Sequence, residues 1–195
     1  MKKLSIPVII IAVVAVIAIM CVSAYNSLVS SEESVDTAWS QVENVYQRRA
    51  DLIPNLVNTV KGYAAHEKET LEGVVSARAK ATQMTIDPTN LTPEAIEKFQ
   101  AAQGELGSAL GKLLAITENY PELKANENFK ELQAQLEGTE NRIAVERKKF
   151  NETAQVYNTS IRKFPRSIVA SMFGFERKPY FKAQEGAEQA PTVQF

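Results

Sequence analysis

The sequence predicts an all-α protein, with an N-terminal transmembrane helix followed by an antiparallel bundle of three to four long helices. Three observations support this fold class. Helix-forming residues are abundant, while the 195 residues include eight glycines and eight prolines. A charge-free apolar run covers residues 4–24. Beyond it, apolar residues recur at seven-residue intervals over two long stretches, as in helices that pack along one face.

Length and charge limit the domain organisation and the partners. We expect a cytoplasmic N-terminus (1–3), a transmembrane anchor (4–24), one helical-bundle domain (25–182) and a disordered, polar C-terminal tail (183–195). The formal net charge is -1, and without Lys2 and Lys3 the chain has 20 basic and 23 acidic side chains. This excludes nucleic acid as an expected partner, because no basic excess is present to displace phosphate counterions.

The apolar run is long enough to cross a bilayer. Its roughly 21 residues would rise about 32 Å as a helix. Lys2 and Lys3 precede it and the first charges after it are acidic, beginning with Glu32. The positive-inside rule then places the N-terminus in the cytoplasm and the bundle on the extracytoplasmic side, in the periplasm or at the cell surface.

Two other fates of this segment stay open. Residues 22–24 would suit a signal peptidase, and Cys21 could carry a lipid after processing. Length and flanking charges favour a retained anchor, with the membrane lipid bilayer as its partner and Cys21 as an inert apolar side chain.

A long amphipathic pattern covers residues 31–84. Its apolar positions share one seven-residue register that is broken at Glu67: Trp39, Tyr46, Ile53, Val60, Val74 and Ala81. The register keeps its phase through Pro54, which predicts a helix kink at that residue in preference to a full turn. A reversal at Pro54 would give four helices in place of three, and the sequence leaves this open.

Charged residues enter this pattern just before the proline. Arg49 lies seven residues after Val42 and seven before Leu56, so it falls beside or within the apolar seam. A guanidinium there needs a carboxylate or several carbonyl groups to offset its desolvation. We therefore interpret Arg48, Arg49 and Asp51 as a structural ion-pair cluster that fixes helix register, with a ligand site as the alternative.

A second helix is predicted from Pro93 to about Thr117, after a turn at residues 85–90, with Thr92 as N-cap. One face carries Ile96, Phe99, Gln103, Leu106, Leu110 and Leu113. The glycines Gly104, Gly107 and Gly111 weaken the helix, each by about 0.8–1.0 kcal/mol relative to alanine. Since small residues let another helix come close, we interpret them as helix-contact glycines.

A third long helix is predicted over residues 126–163. It has the most regular register of the chain: Phe129, Leu136, Ile143, Phe150, Tyr157 and Phe164. The companion positions of this heptad become polar after Leu132, including Thr139 and Ser160. Buried hydrogen bonding within the bundle is the favoured explanation, and a face for another subunit is the alternative.

The C-terminal part contains a short helix and an aromatic segment. Pro165 ends the third helix, and residues 167–173 form another that ends at Gly174. Four aromatic residues either dock on the bundle or form an association patch: Phe173, Phe175, Tyr180 and Phe181. The chain ends on alternating residues in which Val193 and Phe195 could be captured by a strand-addition module.

Several segments resemble the LemA family in the family's order, and together they cover nearly the whole chain from Tyr25. They are residues 25–29, 38–42, 48–57, 59–63, 66–67, 120–126, 136–143, 157–158 and 164–165. The resemblance implies a membrane-anchored bacterial helical bundle whose biochemical role is poorly defined.

Residues for catalysis, metals or cofactors are sparse. His66 is the single histidine, and the single cysteine lies in the apolar run. His66-Glu67 begins like a zinc-protease helix, but Thr70 stands where the second histidine is needed. We expect no cofactor, no metal and no enzymatic activity.

Two functions follow as expectations. The first is self-association of the bundle as a homo-oligomer at the membrane surface, through coiled-coil-like helix contacts. The second is an adaptor that presents its bundle or its apolar C-terminus to another cell-envelope protein.

Overall fold

The computed structural model describes residues 6–182, apart from the side chain of Asn90, and these residues are all-helical without a strand. The helices are α1 (Ile6–Tyr63), α2 (Lys68–Gln83), α3 (Pro93–Thr117), α4 (Pro121–Ala125), α5 (Glu127–Ser160) and α6 (Arg166–Phe173), with a 3-10 turn at Pro88–Asn90. The predicted fold class is confirmed. The predicted N-terminus (1–3) and tail (183–195) lie outside the described residues.

Helix α1 begins in the apolar run and continues through Pro54 to Tyr63. Pro54 therefore does not reverse the chain, which settles that open question. The serines after the apolar run fit the helix because their hydroxyls donate to carbonyls one turn earlier, as Ser31 Oγ does to Ser27 O at 2.8 Å.

The predicted pattern from 31 to 84 is not one helix, since α1 ends at Tyr63 and a turn at residues 64–67 leads into α2. Two side chains hold the residues that flank this turn. The Tyr120 hydroxyl donates to Glu67 Oε1 at 2.9 Å, and Asn126 Nδ2 donates to the Tyr63 hydroxyl at 2.9 Å. Glu67, the residue that interrupts the seven-residue register, is thus the last residue of the turn between α1 and α2.

Helix α3 follows the prediction closely. Thr92 Oγ1 accepts a hydrogen bond from the Ala95 amide at 3.1 Å, and Pro93 is the first helical residue. All six predicted core positions of this helix are buried: Ile96, Phe99, Gln103, Leu106, Leu110 and Leu113.

Helix α5 is shorter at its C-terminal end than predicted. It ends at Ser160, so Phe164 lies beyond it and is 82 % exposed, whereas the other five members of its register are buried. Thr139, one of the polar companion positions, is buried, and its hydroxyl donates to Gln135 O at 2.7 Å. At this position the polar side chain therefore makes a buried hydrogen bond, as the favoured explanation expects. Gly174 ends α6 in the left-handed region at φ +74, as predicted.

The chain divides into two compact units. The first contains the described residues up to Gln47 and residues 140–178. In it, the first part of α1 runs antiparallel to the last part of α5, and the Trp39 and Phe150 rings meet edge to face with centroids 5.6 Å apart. Val169 and Ala170 of α6 are also buried.

The second unit contains residues 48–139 and the described residues from Pro179 onward. Here the last part of α1, helices α2, α3 and α4, and the first part of α5 share one apolar core. The core residues come from every element in turn: Ile53, Leu56, Val57, Val60, Ala64, Leu71, Val74, Ala77, Ala81, Leu106, Leu110, Leu113, Leu123, Phe129 and Leu136.

Candidate functional site

Arg49 is buried in the second unit, where α3 supplies its partners. Its Nη2 donates to the backbone oxygen of Gln103 at 3.2 Å and also to the side-chain oxygen of Gln103. Gln103 Nε2 in turn donates to Ala81 O at 3.4 Å. Carbonyl oxygens thus contribute to offsetting the desolvation of the guanidinium, and a polar residue on the core face of α3 is explained.

The three residues of the predicted ion-pair cluster differ in burial, and their pairing stays a prediction. Arg48 and Asp51 are exposed, whereas Arg49 is 4 % exposed. The arginine that does link α1 to α2 is Arg78, whose Nε donates to Ala50 O at 2.7 Å.

The glycines of α3 make no tight contact with the described part of the chain. A Cβ built on Gly104, Gly107 or Gly111 would meet no atom within 4 Å among the described residues. No described residue packs tightly against these glycines, because the buried face of α3 is a different one, and their role as helix-contact glycines stays a prediction. The small residues on the outer face fall in a coiled-coil-like spacing, and we call them the small-residue stripe: Ala101, Gly104, Ser108, Gly111 and Ala115.

A groove lies beside the small-residue stripe, between α2 and α3. Its floor is lined by small side chains, which are Gly73, Ser76 and Ala77 of α2 with Ser108 and Ala109 of α3. Charged residues of both signs stand at its rim, and Lys80 Nζ lies 3.2 Å from Glu105 Oε2.

A second polar cluster lies in the first unit, and sequence reasoning missed it. Lys178, which is 8 % exposed, places its Nζ 3.0 Å from Glu32 Oε1 and 3.7 Å from Asp36 Oδ1. Asn158 holds the backbone of the same residue, since its Nδ2 donates to Lys178 O at 2.8 Å and its Oδ1 accepts from Lys178 N at 2.9 Å. We call these four residues with Tyr157 the Lys178 cluster.

Burial and charge shift the ionisation of this cluster. Desolvation raises the pKa of Asp36 above its ordinary value of 3.8, Glu32 and Glu33 add to the rise, and Lys178 opposes it. Burial, followed by the nearby Glu32 carboxylate, raises the pKa of the Tyr157 phenol far above its usual range. The cluster binds the segment after α6 to α1 and α5, so its polar groups serve the fold.

The one signal for this cluster in the sequence is the four-residue spacing of Glu32 and Asp36, which places both carboxylates on one helix face. Nothing in the spacing of Lys178 from them, more than 140 residues away, indicates the pair.

The remaining predicted residues are placed as follows. Pro54 is exposed inside the continuous α1, and His66 is exposed in the turn after it. Val193 and Phe195 lie outside the described residues, so their role in recognition stays a prediction. Among the described residues, no group of three His, Cys, Asp or Glu side chains could hold a metal ion.

Comparison with known proteins identifies the family. The sequence profile of the LemA family matches residues 38–195. The chain is 30 % identical to magnetosome protein MamQ of Magnetospirillum gryphiswaldense, over 87 % of this chain and 68 % of MamQ. It is 28 % identical to magnetosome protein MamQ 2 of Paramagnetospirillum magneticum with the same coverage. It is 23 % identical to protein LemA of Metamycoplasma hominis, over 82 % of this chain and 69 % of that protein.

The apolar end of α1 completes the description. α1 is the one described helix that is long and apolar enough to cross a membrane, and its most apolar window is wholly exposed. With the profile match over most of its length and this candidate membrane helix, the chain belongs to the LemA family of membrane-associated helical proteins.

Proposed function

We propose that this protein is a non-enzymatic, single-pass membrane protein whose extracytoplasmic helical part self-associates, helix against helix, at the membrane surface. The observation that carries the proposal is the outer face of α3. Its small-residue stripe and the adjoining groove between α2 and α3 are open, whereas the inner face of the same helix is buried.

Small residues at heptad spacing favour close helix packing. Without a Cβ or with a short side chain, two helix backbones approach closely and gain dispersion contacts along their length. Gly104 and Gly111 cost the isolated helix about 0.8–1.0 kcal/mol each relative to alanine. A contact with a second copy of α3 supplies a reason for that cost which no contact inside the described chain supplies.

Membrane attachment supports association by concentrating the copies. Residues 6–22 of α1 carry exposed apolar side chains, for example Ile6 at 75 % and Ile11 at 68 %, which a bilayer would cover. Helical parts held on one surface meet at a high effective concentration, so a weak contact is sufficient.

The polar groups support a non-enzymatic role. In the Lys178 cluster, the ammonium group is paired with two carboxylates and the Asn158 amide is bonded to backbone. Nη2 of Arg49 is bonded to Gln103. These are the buried charged and amide groups that a reaction centre would otherwise use, and here they hold helices together.

The proposal is tested by the double variant G104L/G111L. Leucine is a better helix former than glycine, and a Cβ at either site is free of contacts, so the folded chain should become more stable. The bulk of the new side chains should nevertheless block close approach of a second α3. We expect full-length protein in mild detergent to give cross-linked oligomers, and the double variant to give monomers.

G138L is the matched control. Gly138 is also exposed, lies within α5 and has no atom within 4 Å of a built Cβ, so its replacement gains helix propensity away from the small-residue stripe. It should cross-link like the natural sequence. A natural protein that light scattering shows to be monomeric at micromolar concentration would refute self-association, and oligomers of G104L/G111L would remove α3 from the contact.

A further inference from the structure

Helix α6 carries a patch of exposed apolar side chains outside the candidate membrane segment. We define the α6 patch as Phe164 (82 % exposed), Ile168 (53 %), Met172 (72 %) and Phe173 (58 %). Ile168 and Met172 are four residues apart in α6 and lie on one face of it, and Phe164 lies just before the helix. The opposite side of α6, with Val169 and Ala170, is buried against the first unit.

The antiparallel pairing of α1 and α5 places the α6 patch along α1. The Trp39 ring contacts the Phe150 ring. Seven residues before Trp39 on α1, the Glu32 carboxylate lies next to Tyr157, which is seven residues after Phe150 on α5. The chain beyond α5 then reaches the level of Tyr25. Direct contacts confirm this level, since the Phe173 ring centroid lies 4.8 Å from that of Tyr25. Phe175 is also in contact with Tyr25, at 5.7 Å.

Tyr25 is the first residue after the apolar run of residues 4–24. Tyrosine at this position is typical of the boundary between the hydrocarbon and the headgroups of a bilayer. The side chains of α1 just before it, such as Met20 and Val22, are 55 % and 60 % exposed and need the same lipid cover. The α6 patch is therefore next to the place where α1 leaves the membrane.

Charge next to the α6 patch fits the same surface. Arg162, Lys163 and Arg177 are exposed, and Glu176 is the one acidic residue of the chain between residues 153 and 184. An apolar face flanked by basic residues is the composition of helices that lie in the headgroup region of anionic membranes.

We propose that α6 is an interfacial helix, which inserts the α6 patch into the headgroup region of the bilayer that α1 crosses. The inference rests on the membrane insertion of α1 proposed above and is independent of self-association. A lipid surface is the occupant because the contact of Phe173 with Tyr25 places the patch next to the apolar end of α1, and because exposed basic residues flank the patch in the sequence.

The test uses full-length protein in nanodiscs that contain phosphatidylcholine and phosphatidylglycerol, with one copy in each disc. In a C21A background, M172C carries a nitroxide spin label, and its accessibility to oxygen and to a nickel chelate is compared by electron paramagnetic resonance. Oxygen concentrates in lipid and the chelate in water. Met172 is exposed, so the label does not disturb the core.

V145C is the matched control. Val145 is 50 % exposed on α5, and its distance from the end of that helix at Ser160 is about 22 Å along the axis. We expect the oxygen-to-nickel ratio at M172C to be at least about threefold higher than at V145C, in line with a side chain buried several ångström below the headgroups.

Each other outcome refutes a defined step. Equal ratios at the two sites, in discs that retain the protein, would show that α6 faces water and would overturn the inference alone. A label at M172C that is shielded from both reagents, and only in discs with two copies, would assign the patch to a second chain in place of lipid. Protein that does not remain with the discs would overturn the anchor and this inference together.

Discussion

At the scale of single residues, buried polar side chains hold this fold at two points. Arg49 and Gln103 join α1 to α3 in the second unit, and Lys178 with Asn158 joins the segment after α6 to α1 and α5 in the first. Because each of these groups is desolvated, removal of one partner leaves the other without the hydrogen bonds that water would give it.

Replacement of Arg49 by alanine should lower the free energy of unfolding by about 1.5–3 kcal/mol, the usual effect of a hydrogen bond to a charged group with loss of its partner. The measurement is chemical denaturation in mild detergent. R48A is the control, since Arg48 is exposed and its loss should change stability by less than about 0.5 kcal/mol. Equal denaturation midpoints for the natural protein and R49A would contradict the structural role of Arg49.

Asp36 should make stability depend on pH. Its pKa is raised by desolvation above the ordinary value of 3.8, so over the window between the two values the folded protein keeps a proton that the unfolded chain has lost. Stability from this group is therefore greatest below pH 3.8 and falls as pH rises through the window up to the folded pKa.

D36N removes this dependence, because an amide does not titrate. The difference in unfolding free energy, natural protein minus D36N, should decrease as pH rises from 3.8 through the folded pKa of Asp36 and then level off. A difference that increases with pH would show that pairing with Lys178 outweighs the burial of Asp36, and a constant difference would show that the two effects cancel.

The sequence alone predicted part of the buried polar sites around Arg49 and Lys178. The seam position of Arg49 follows from its seven-residue spacing to Val42 and Leu56, and the structure places it in the interior. The partner Gln103 and the Lys178 cluster could not be predicted, because a hydrogen bond between residues far apart in sequence leaves no periodic signal. Arg48 and Asp51, three positions apart on α1, are exposed, and their ion pairing with Arg49 stays a prediction.

At the scale of elements, capping residues predicted helix boundaries better than apolar periodicity did. Thr92 followed by Pro93 marks the start of α3, and the structure shows the expected cap. The end of α5 was placed too late because Phe164 continues the apolar register past Ser160. Its ring is exposed, so periodicity alone did not distinguish a core residue from a surface one.

The Thr92 cap has a measurable value. T92A should lower stability by about 1 kcal/mol, because the Ala95 amide loses the hydroxyl that accepts from it at 3.1 Å. T92S keeps an oxygen in the same place and should have nearly the stability of the natural protein. Thermal unfolding followed by circular dichroism compares the three. If T92A and T92S unfolded at the same temperature, the cap would not contribute to stability.

The turn between α1 and α2 is fixed by tertiary contacts that a periodic sequence pattern does not reveal. Glu67 breaks the apolar register, and this was the one available sign that the helix ends nearby. The hydrogen bonds that fix the turn come from Tyr120 and Asn126, in and after the connection that follows α3. Tertiary contacts therefore determine a boundary that the local sequence leaves ambiguous.

At the scale of the whole molecule, the fold class and most of the core follow from the sequence. The six apolar positions of the first long register, from Trp39 to Ala81, are all buried, because a seven-residue repeat places those of α1 on one side of that helix and those of α2 on one side of the next. The function follows less readily, since the proposed self-association would use surfaces that a monomer leaves open, and such surfaces have no catalytic or ligand-binding residues that a sequence motif could reveal.

The orientation of the molecule in the membrane gives a further prediction. In the C21A background, V145C should react with a membrane-impermeant maleimide that is added to cells with an intact cytoplasmic membrane and a permeabilised outer layer. We expect this reaction because we place the helical part outside the cytoplasm. The exposure of Val145 makes it accessible without unfolding. Reaction only after the inner membrane is broken would place the helical part in the cytosol and reverse the proposed topology.

The unbroken path of α1 from Ile6 past Tyr25 has one more consequence. Because α1 is continuous at Ala24, each residue inserted there rotates the candidate membrane segment by about 100° about the helix axis relative to the packed residues that follow. Seven added residues bring it back to within about 20° of the starting azimuth. The number of residues in α1 therefore fixes the rotation of the packed part of the chain about the α1 axis. Every copy has the same rotation relative to its own apolar segment.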